Sequence, residues 1–432
     1  MPKDRRARLA IVAVFGTLSL FAAACQSSNT ASHGTQGTGQ QAQQPAKPAA
    51  QITITPKSGS SHAKTSRGIS VTVADGKLQQ VHVTAGGGTA GGTLSSDSTS
   101  WRTNWPLRTG THYSVTATAV GTDGKTTTAT SSFRTLTPTA TFSAQTVLGY
   151  HQTYGVGIPI TLTFSSPVTH RAAVERAIQI KSSKPVVGAW YWDGNQNLSF
   201  RTRSYWPQHT NVSFTAHFNG LEISRGVYGT GNLSQAFHIG DSLIGVTSTI
   251  THRTRIYWKN KLYATWPDSS GTPGSPETET ANGAYLTIEK ANPTLMSGPG
   301  YKNVPVYWSV RFTWSGNYYH DAPWSVGEQG AANVSHGCVN LSPANSQWYY
   351  EHAVPGDPIT IIGSPLAGTW DDGWTAWFLT WKQMLHRSAT HQAVQVTSTG
   401  STFVDPSTLG SAPHGVMHNS RRGNYLAGDR KA

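Results

Sequence analysis

The chain has 432 residues, a net charge of +13, only 12% charged residues and two cysteines. Roughly 380 residues lie beyond the N-terminal leader and tether, which excludes a single typical core and leaves room for two to four domains. Sparse charge with abundant Thr, Ser, Gly, Trp and Tyr fits β-rich domains outside the cytoplasm, and the positive excess points to anionic surroundings such as a membrane surface or wall polymers.

Residues 1–24 have the shape of a secretory signal. Lys3, Arg5, Arg6 and Arg8 form a positive start, and the apolar run 9–24 follows without charge. At about 16 residues that run is short for a spanning helix, which needs roughly 20. Ala22, Ala23 and Ala24 directly precede Cys25. This resembles a bacterial lipoprotein signal, in which the cysteine is acylated and becomes the mature N-terminus; Ala22 stands where such signals usually carry Leu. Cleavage near the Ala run as an ordinary signal is the alternative. A polar tether after Cys25 and the lack of an obvious partner thiol favour lipidation, and with it a lipid-anchored chain on the outer face of the cell membrane. Residues 25–50, rich in Ser, Thr, Gly, Gln, Pro and Ala, lack the apolar side chains for a core and read as that flexible tether. Nucleic acid is excluded as a partner by export and by the absence of a Lys/Arg-rich run after the leader.

Two stretches resemble each other: WPLRTGTHYSVTA from Trp105 and WPQHTNVSFTA from Trp206. Each has Thr four places after the Trp and an aromatic, Tyr113 or Phe214, eight places after it; Val115 and Ala216 continue the alternation, and Phe133 and Phe237 close the segments. Period-two alternation with Asp75-Gly76, Asp123-Gly124 and Asp193-Gly194 as turn signals predicts antiparallel hairpins. The reading is two tandem immunoglobulin-like β-sandwiches, 51–138 and 139–240, acting as a spacer, with their aromatics in the core rather than on sugar.

From residue 241 the pattern changes to a β-rich third domain, 241–364. TRIYWKNKLYATW from Thr254 predicts a hairpin turning at Lys259-Asn260-Lys261, and GAYLTI from Gly283, VPVYWSVRFTW from Val304 and GDPITII from Gly356 read as strands. A short helix is predicted over 343–353, capped by Ser342. A small C-terminal subdomain, 365–387, carries a second predicted helix over 375–386, and 388–432 reads as a polar, mobile tail. The fold class is therefore mainly β.

Cys338 lies in NVSHGCVN. With Cys25 lipidated it has no disulfide partner, and a lone thiol in an oxidising compartment points to chemistry. Thiol acyl transfer needs a nucleophile, a base, a group that orients the base, and N–H donors for the oxyanion. Gly337 and Cys338 can supply backbone donors, glycine allowing a carbonyl to approach. His336 and His320 are the candidate bases; a residue two places away in a tight turn reaches its neighbour's sulfur poorly, so His320 is preferred. A nearby imidazole is expected to lower the thiol's pKa.

His320, fourteen intervening residues and then Ser335-His-Gly-Cys-Val-Asn resemble the signature of the L,D-transpeptidases of the bacterial cell wall. The flank HDAPWSVGEQG from His320 and the SPAN from Ser342 resemble the actinobacterial lipoprotein branch with two immunoglobulin-like domains, a catalytic domain and a Trp-rich C-terminal subdomain. The resemblance implies Cys338 as nucleophile and His320 as general base. It implies that the Asp321 backbone carbonyl orients the ring, in a position where relatives often carry Ser; a carboxylate folding back would raise the pKa of His320. It further implies an oxyanion hole at Gly337 and Cys338, loop-shaping roles for His336 and Ser335, substrate contacts by Ser335, Asn340 and Trp324, and Ser315-Gly316 at a strand end lining the pocket. A lid tyrosine is expected, with Tyr301 and Tyr307 as candidates. The implied reaction joins donor and acceptor peptide stems of peptidoglycan by 3→3 crosslinks, without metal or cofactor, and carbapenems are the implied inhibitors.

Rival readings remain at the level of sequence. Zinc held by Cys338, His336 and His320 lacks the usual paired-ligand spacings. A papain-like peptidase places its Cys before its His, the reverse of the order here. An L,D-carboxypeptidase shares every catalytic residue, and a non-enzymatic wall-binding lipoprotein shares the charge and the tryptophans.

Overall fold

The computed structural model describes residues 47–298 and 300–410. The signal, Cys25 and most of the tether lie outside the described residues. Residues 47–50 already belong to the first sandwich rather than to the tether: Ala50 is buried, and Thr122 Oγ1 donates to the Pro48 carbonyl at 2.9 Å.

The first sandwich packs two four-stranded sheets. One contains Gln51–Thr55, Ser70–Ala74, Ser100–Thr103 and Gly92–Leu94; the other contains Gly76–Ala85, His112–Gly121, Thr126–Arg134 and Gly88–Thr89. Inward residues alternate along the long strands, so that Tyr113, Val115, Ala117 and Ala119 are buried between exposed or half-buried neighbours. Asp123-Gly124 turns a hairpin as expected. Asp75-Gly76 does not, because the strands on either side belong to different sheets. Asp75 takes φ 57°, and a Cβ on Gly76 would sit 2.4 Å from the Val120 carbonyl, so this pair turns a corner where the two sheets meet tightly.

The second sandwich has a four-stranded sheet facing a six-stranded one. Trp190, Phe164, Phe200, Trp206, Phe214 and Phe218 fill the space between them. Each such buried aromatic contributes on the order of 2–3 kcal/mol. The two Trp-Pro repeats have diverged in use. Trp206 is buried and donates to the Ile158 carbonyl at 2.8 Å, whereas Trp105 stacks at 3.6 Å on His217 of the second sandwich and joins the two.

The six-stranded sheet corrects the reading of a mobile tail for 388–410; residues 411–432 lie outside the described residues. Ala393–Val396 pairs with Val186–Asp193, and Ser401–Val404 adds beyond it. Glu175 anchors this return: its buried carboxylate accepts from Trp192 Nε1 at 2.8 Å, Ser388 Oγ at 2.9 Å, Ala389 N at 2.7 Å, Thr390 N at 3.0 Å and Thr390 Oγ1 at 2.7 Å. The second predicted helix also shifts. Ala376–Phe378 is a single 3₁₀ turn, and the helix proper is Trp381–Arg387, started by a capping box of Thr380 with Gln383.

The third domain combines a five-stranded sheet, a four-stranded sheet and the helix Pro343–His352, capped by Ser342 Oγ on Asn345 N. The hairpin Arg253–Trp258 to Lys261–Pro267 turns at Lys259 and Asn260, both at positive φ. The stretch 304–314 is not one strand. It divides into the end of Tyr301–Val306 and Ser309–Arg311, with Trp308 at φ 50° between them. His320 likewise sits within a separate strand, Tyr318–Asp321, reached through a turn at 313–317.

Candidate active site

His320 lies on one strand, and Cys338 immediately precedes the parallel strand beside it. Tyr318–Asp321 runs beside Val339–Leu341, with Tyr319 opposite Val339 and His320 opposite Asn340. Alternation sends Tyr319 into the core, where its hydroxyl meets Thr247 Oγ1 at 2.7 Å, and turns His320 to the other face together with Asn340, its register partner.

His320 is only 4% exposed. Its Nδ1–H donates to the Asp321 carbonyl at 2.8 Å, which fixes the tautomer and leaves Nε2 as the free lone pair. Burial depresses the imidazole pKa to about 4, partly offset by that hydrogen bond. The Asp321 carboxylate does not fold back onto the ring: its Oδ1 is buried without a hydrogen-bond partner among the described residues, and burial raises its own pKa. The Trp324 ring faces the imidazole at 6.2 Å and is 61% exposed, forming an open wall beside the base.

The thiol is protonated at rest. Burial pushes Cys338 up to about 11, against a lowering contribution from the Tyr318 backbone N–H, so the expected imidazole-lowered thiolate is not formed. Sγ donates to the Gly316 carbonyl at 3.7 Å. Gly316, at φ 103°, thus meets the thiol through its backbone, while Ser315 is turned toward the C-terminal subdomain, where its N–H and Oγ both reach the Asp372 carboxylate at 2.6 Å.

Three expected roles change. Gly337 N–H is committed to Ser335 Oγ at 3.2 Å and so is not an open oxyanion donor. Ser335 is 7% exposed and braces the loop, its hydroxyl donating to the Cys338 carbonyl at 2.5 Å, rather than meeting substrate. Asn340 is 3% exposed, its Nδ2 donates to Ser325 Oγ at 3.0 Å, and its backbone is bonded on both sides to Ser269; it supports the floor of the site instead of lining it.

The hairpin Thr294–Gly298 with Tyr301–Val306 carries the lid candidate Tyr301. The Tyr301 ring meets the exposed His336 edge-on at 5.3 Å, and the phenol pKa is raised by burial and then by the charge of the Cys338 thiolate form. Tyr307 is 48% exposed. Among the described residues no three metal-ligating side chains gather into a site. Sequence reasoning missed Thr280, Asn317 and Asp372, all bonded around the thiol loop; only Asn317, next to Ser315-Gly316 and close before His320, had a local signal.

Residues 244–361 match the L,D-transpeptidase catalytic domain family and residues 60–222 match the bacterial Ig domain family. The chain is 33% identical over 351 residues to L,D-transpeptidase 5 of Mycobacterium tuberculosis (strain ATCC 25618 / H37Rv), covering 79% of this chain and 78% of that protein. It is 33% identical over 329 residues to L,D-transpeptidase 2 of Mycobacterium tuberculosis (strain CDC 1551 / Oshkosh), covering 73% and 79%. A solved L,D-transpeptidase in complex with imipenem is similar at 34% identity and a TM-score of 0.43, covering 52% of this chain and all of that one. With this likeness running through the sandwiches and the catalytic domain alike, the chain belongs to the L,D-transpeptidase family.

Proposed function

We propose that this protein is a lipid-anchored peptidoglycan L,D-transpeptidase that forms 3→3 crosslinks with Cys338 as nucleophile and His320 as base. One observation carries the assignment: a buried neutral imidazole with Nδ1 fixed on the Asp321 carbonyl and Nε2 free, on a strand whose parallel neighbour directly follows the one cysteine thiol among the described residues. As the carbonyl carbon between diaminopimelate and D-Ala of a tetrapeptide stem is attacked, the Cys338 proton passes to His320 Nε2. The C–N bond breaks, D-Ala leaves with that proton on its amine, and a thioester remains on Cys338. The side-chain amine of a second stem's diaminopimelate then attacks the thioester, loses a proton to His320, and the thiol is released and reprotonated.

Because free thiol and imidazole are both neutral, proton transfer accompanies attack rather than preceding it. The oxyanion formed in that step supplies the driving force when a backbone donor receives it. Trp324 on one side and the Tyr301 lid on the other bound the space above the thiol. Acylation is tested by mass spectrometry with a carbapenem: one adduct on the peptide containing Cys338, abolished by Cys338→Ala and strongly slowed by His320→Ala, is expected. An adduct elsewhere, or none, contradicts the assignment. Lipidation at Cys25 is supported by the apolar run and the polar tether, and it predicts that globomycin blocks processing of the precursor; an unchanged mature mass counts against it.

A further inference from the structure

The peptide joining Gly337 to Cys338 is gripped from one side. Its carbonyl accepts from Thr280 Oγ1 at 2.9 Å and from Asn317 Nδ2 at 2.5 Å. Neither donor is free to turn. Thr280 is buried, and its oxygen accepts the Gly271 N–H at 2.8 Å, which leaves the hydroxyl proton for the Gly337 carbonyl. Asn317 Oδ1 accepts from Thr313 Oγ1 at 2.9 Å, so Nδ2 must face Gly337. Ser315, two residues before Asn317, gives its N–H and its hydroxyl proton to the Asp372 carboxylate, both at 2.6 Å.

A trans peptide points its C=O and N–H in opposite directions, and the cis bonds of the described residues are those before Pro56 and Pro293. With the carbonyl drawn toward Thr280 and Asn317, the Cys338 N–H is aimed the other way, where it meets no acceptor among the described residues. The Gly337 N–H is already given to Ser335. A fixed, unspent N–H on the nucleophile's own residue is what a developing oxyanion needs. Glycine is required beneath it, since a Cβ at Gly337 would lie 2.7 Å from Asn317 Nδ2 and push the grip apart.

We propose that Thr280 and Asn317 are positioning residues for acylation, clamping the Gly337 carbonyl so that the Cys338 N–H receives the oxyanion. This rests on Cys338 being acylated, and the test separates the two claims. Two rates are measured on the full chain: acylation of Cys338 by imipenem, which develops an oxyanion, and alkylation of the same thiol by iodoacetamide, which does not. Thr280→Val removes one donor at nearly constant volume, Asn317→Ala removes the other, and Thr280→Ser keeps the hydroxyl. Thr280→Val and Asn317→Ala are expected to slow acylation about tenfold while alkylation stays within about twofold, and Thr280→Ser to acylate like wild type. Thr280→Val acylating at the wild-type rate overturns the clamp, as does an equal fall of both rates, which marks a loosened loop. Wild-type protein that is alkylated at Cys338 but never acylated overturns the acylation reading and the clamp with it.

Discussion

At the scale of single residues, the thiol and the imidazole are set apart in proton affinity. Burial holds Cys338 up to about 11 and His320 down to about 4. The thiolate of the free protein is therefore scarce at neutral pH, and its fraction rises with pH. Alkylation by iodoacetamide should accelerate about tenfold per pH unit between pH 7 and 9; a rate already level at pH 7 would mean a preformed thiolate–imidazolium pair. His320 is useful as a base only while neutral, and a depressed pKa keeps it neutral on the acid side. The acid limb of acylation should accordingly fall below pH 5 rather than near 6.5, read from imipenem acylation rates across that range.

Elements show why some of the fold could be read directly and some could not. The Ser342 cap and the Lys259-Asn260 turn are local, decided by residues within four of each other, and the chain announces both. The sandwich strands are similarly explicit, because alternate burial in His112–Gly121 repeats over ten residues. The break at Trp308 was hidden by an apolar run that reads as continuous strand. The hairpin Ala393–Val396 with Ser401–Val404 was hidden for a different reason: its partner strand, Val186–Asp193, lies in another domain of the chain. Glu175, which draws that segment home, looks like an ordinary helix charge in the sequence. Glu175→Ala should destabilise the protein by about 3 kcal/mol or more, because it strands the Trp192, Ala389 and Thr390 N–H groups in the interior. Urea unfolding checks this; an unchanged midpoint would mean that the C-terminal hairpin is held by its strand pairing alone.

In the candidate site the division is similar. Cys338, His320 and Gly337 stand in one short signature, and their identities follow from thiol chemistry. Their surroundings do not. Thr280 approaches from a loop paired to the site through Ser269 and Gly271, and Asp372 from beyond the catalytic domain. The misassigned roles of Ser335 and Asn340 have one physical cause: both are polar and adjacent to the nucleophile, and only burial reveals that their hydrogen bonds are spent within the protein.

For the molecule as a whole, the parts are fastened to one another rather than strung on linkers. Thr65 Oγ1 donates to the Gly220 carbonyl at 2.6 Å between the sandwiches, and a Cβ on Gly220 would strike the Leu107 carbonyl. Buried Arg201 of the second sandwich donates to the carbonyls of Ala376 at 3.3 Å and Leu379 at 3.2 Å, and Trp377 Nε1 returns a bond to Gly157 at 2.8 Å. The C-terminal subdomain so held is the one that supplies Asp372 to Ser315 of the catalytic domain.

The most direct measurement of that reaction mixes the purified protein with disaccharide-tetrapeptide and reads the products by mass spectrometry. The account predicts a dimer lighter than two substrates by one D-Ala, absent with Cys338→Ala. Release of D-Ala without any dimer would contradict crosslinking and identify water as the acceptor, and unchanged substrate would contradict acyl transfer altogether.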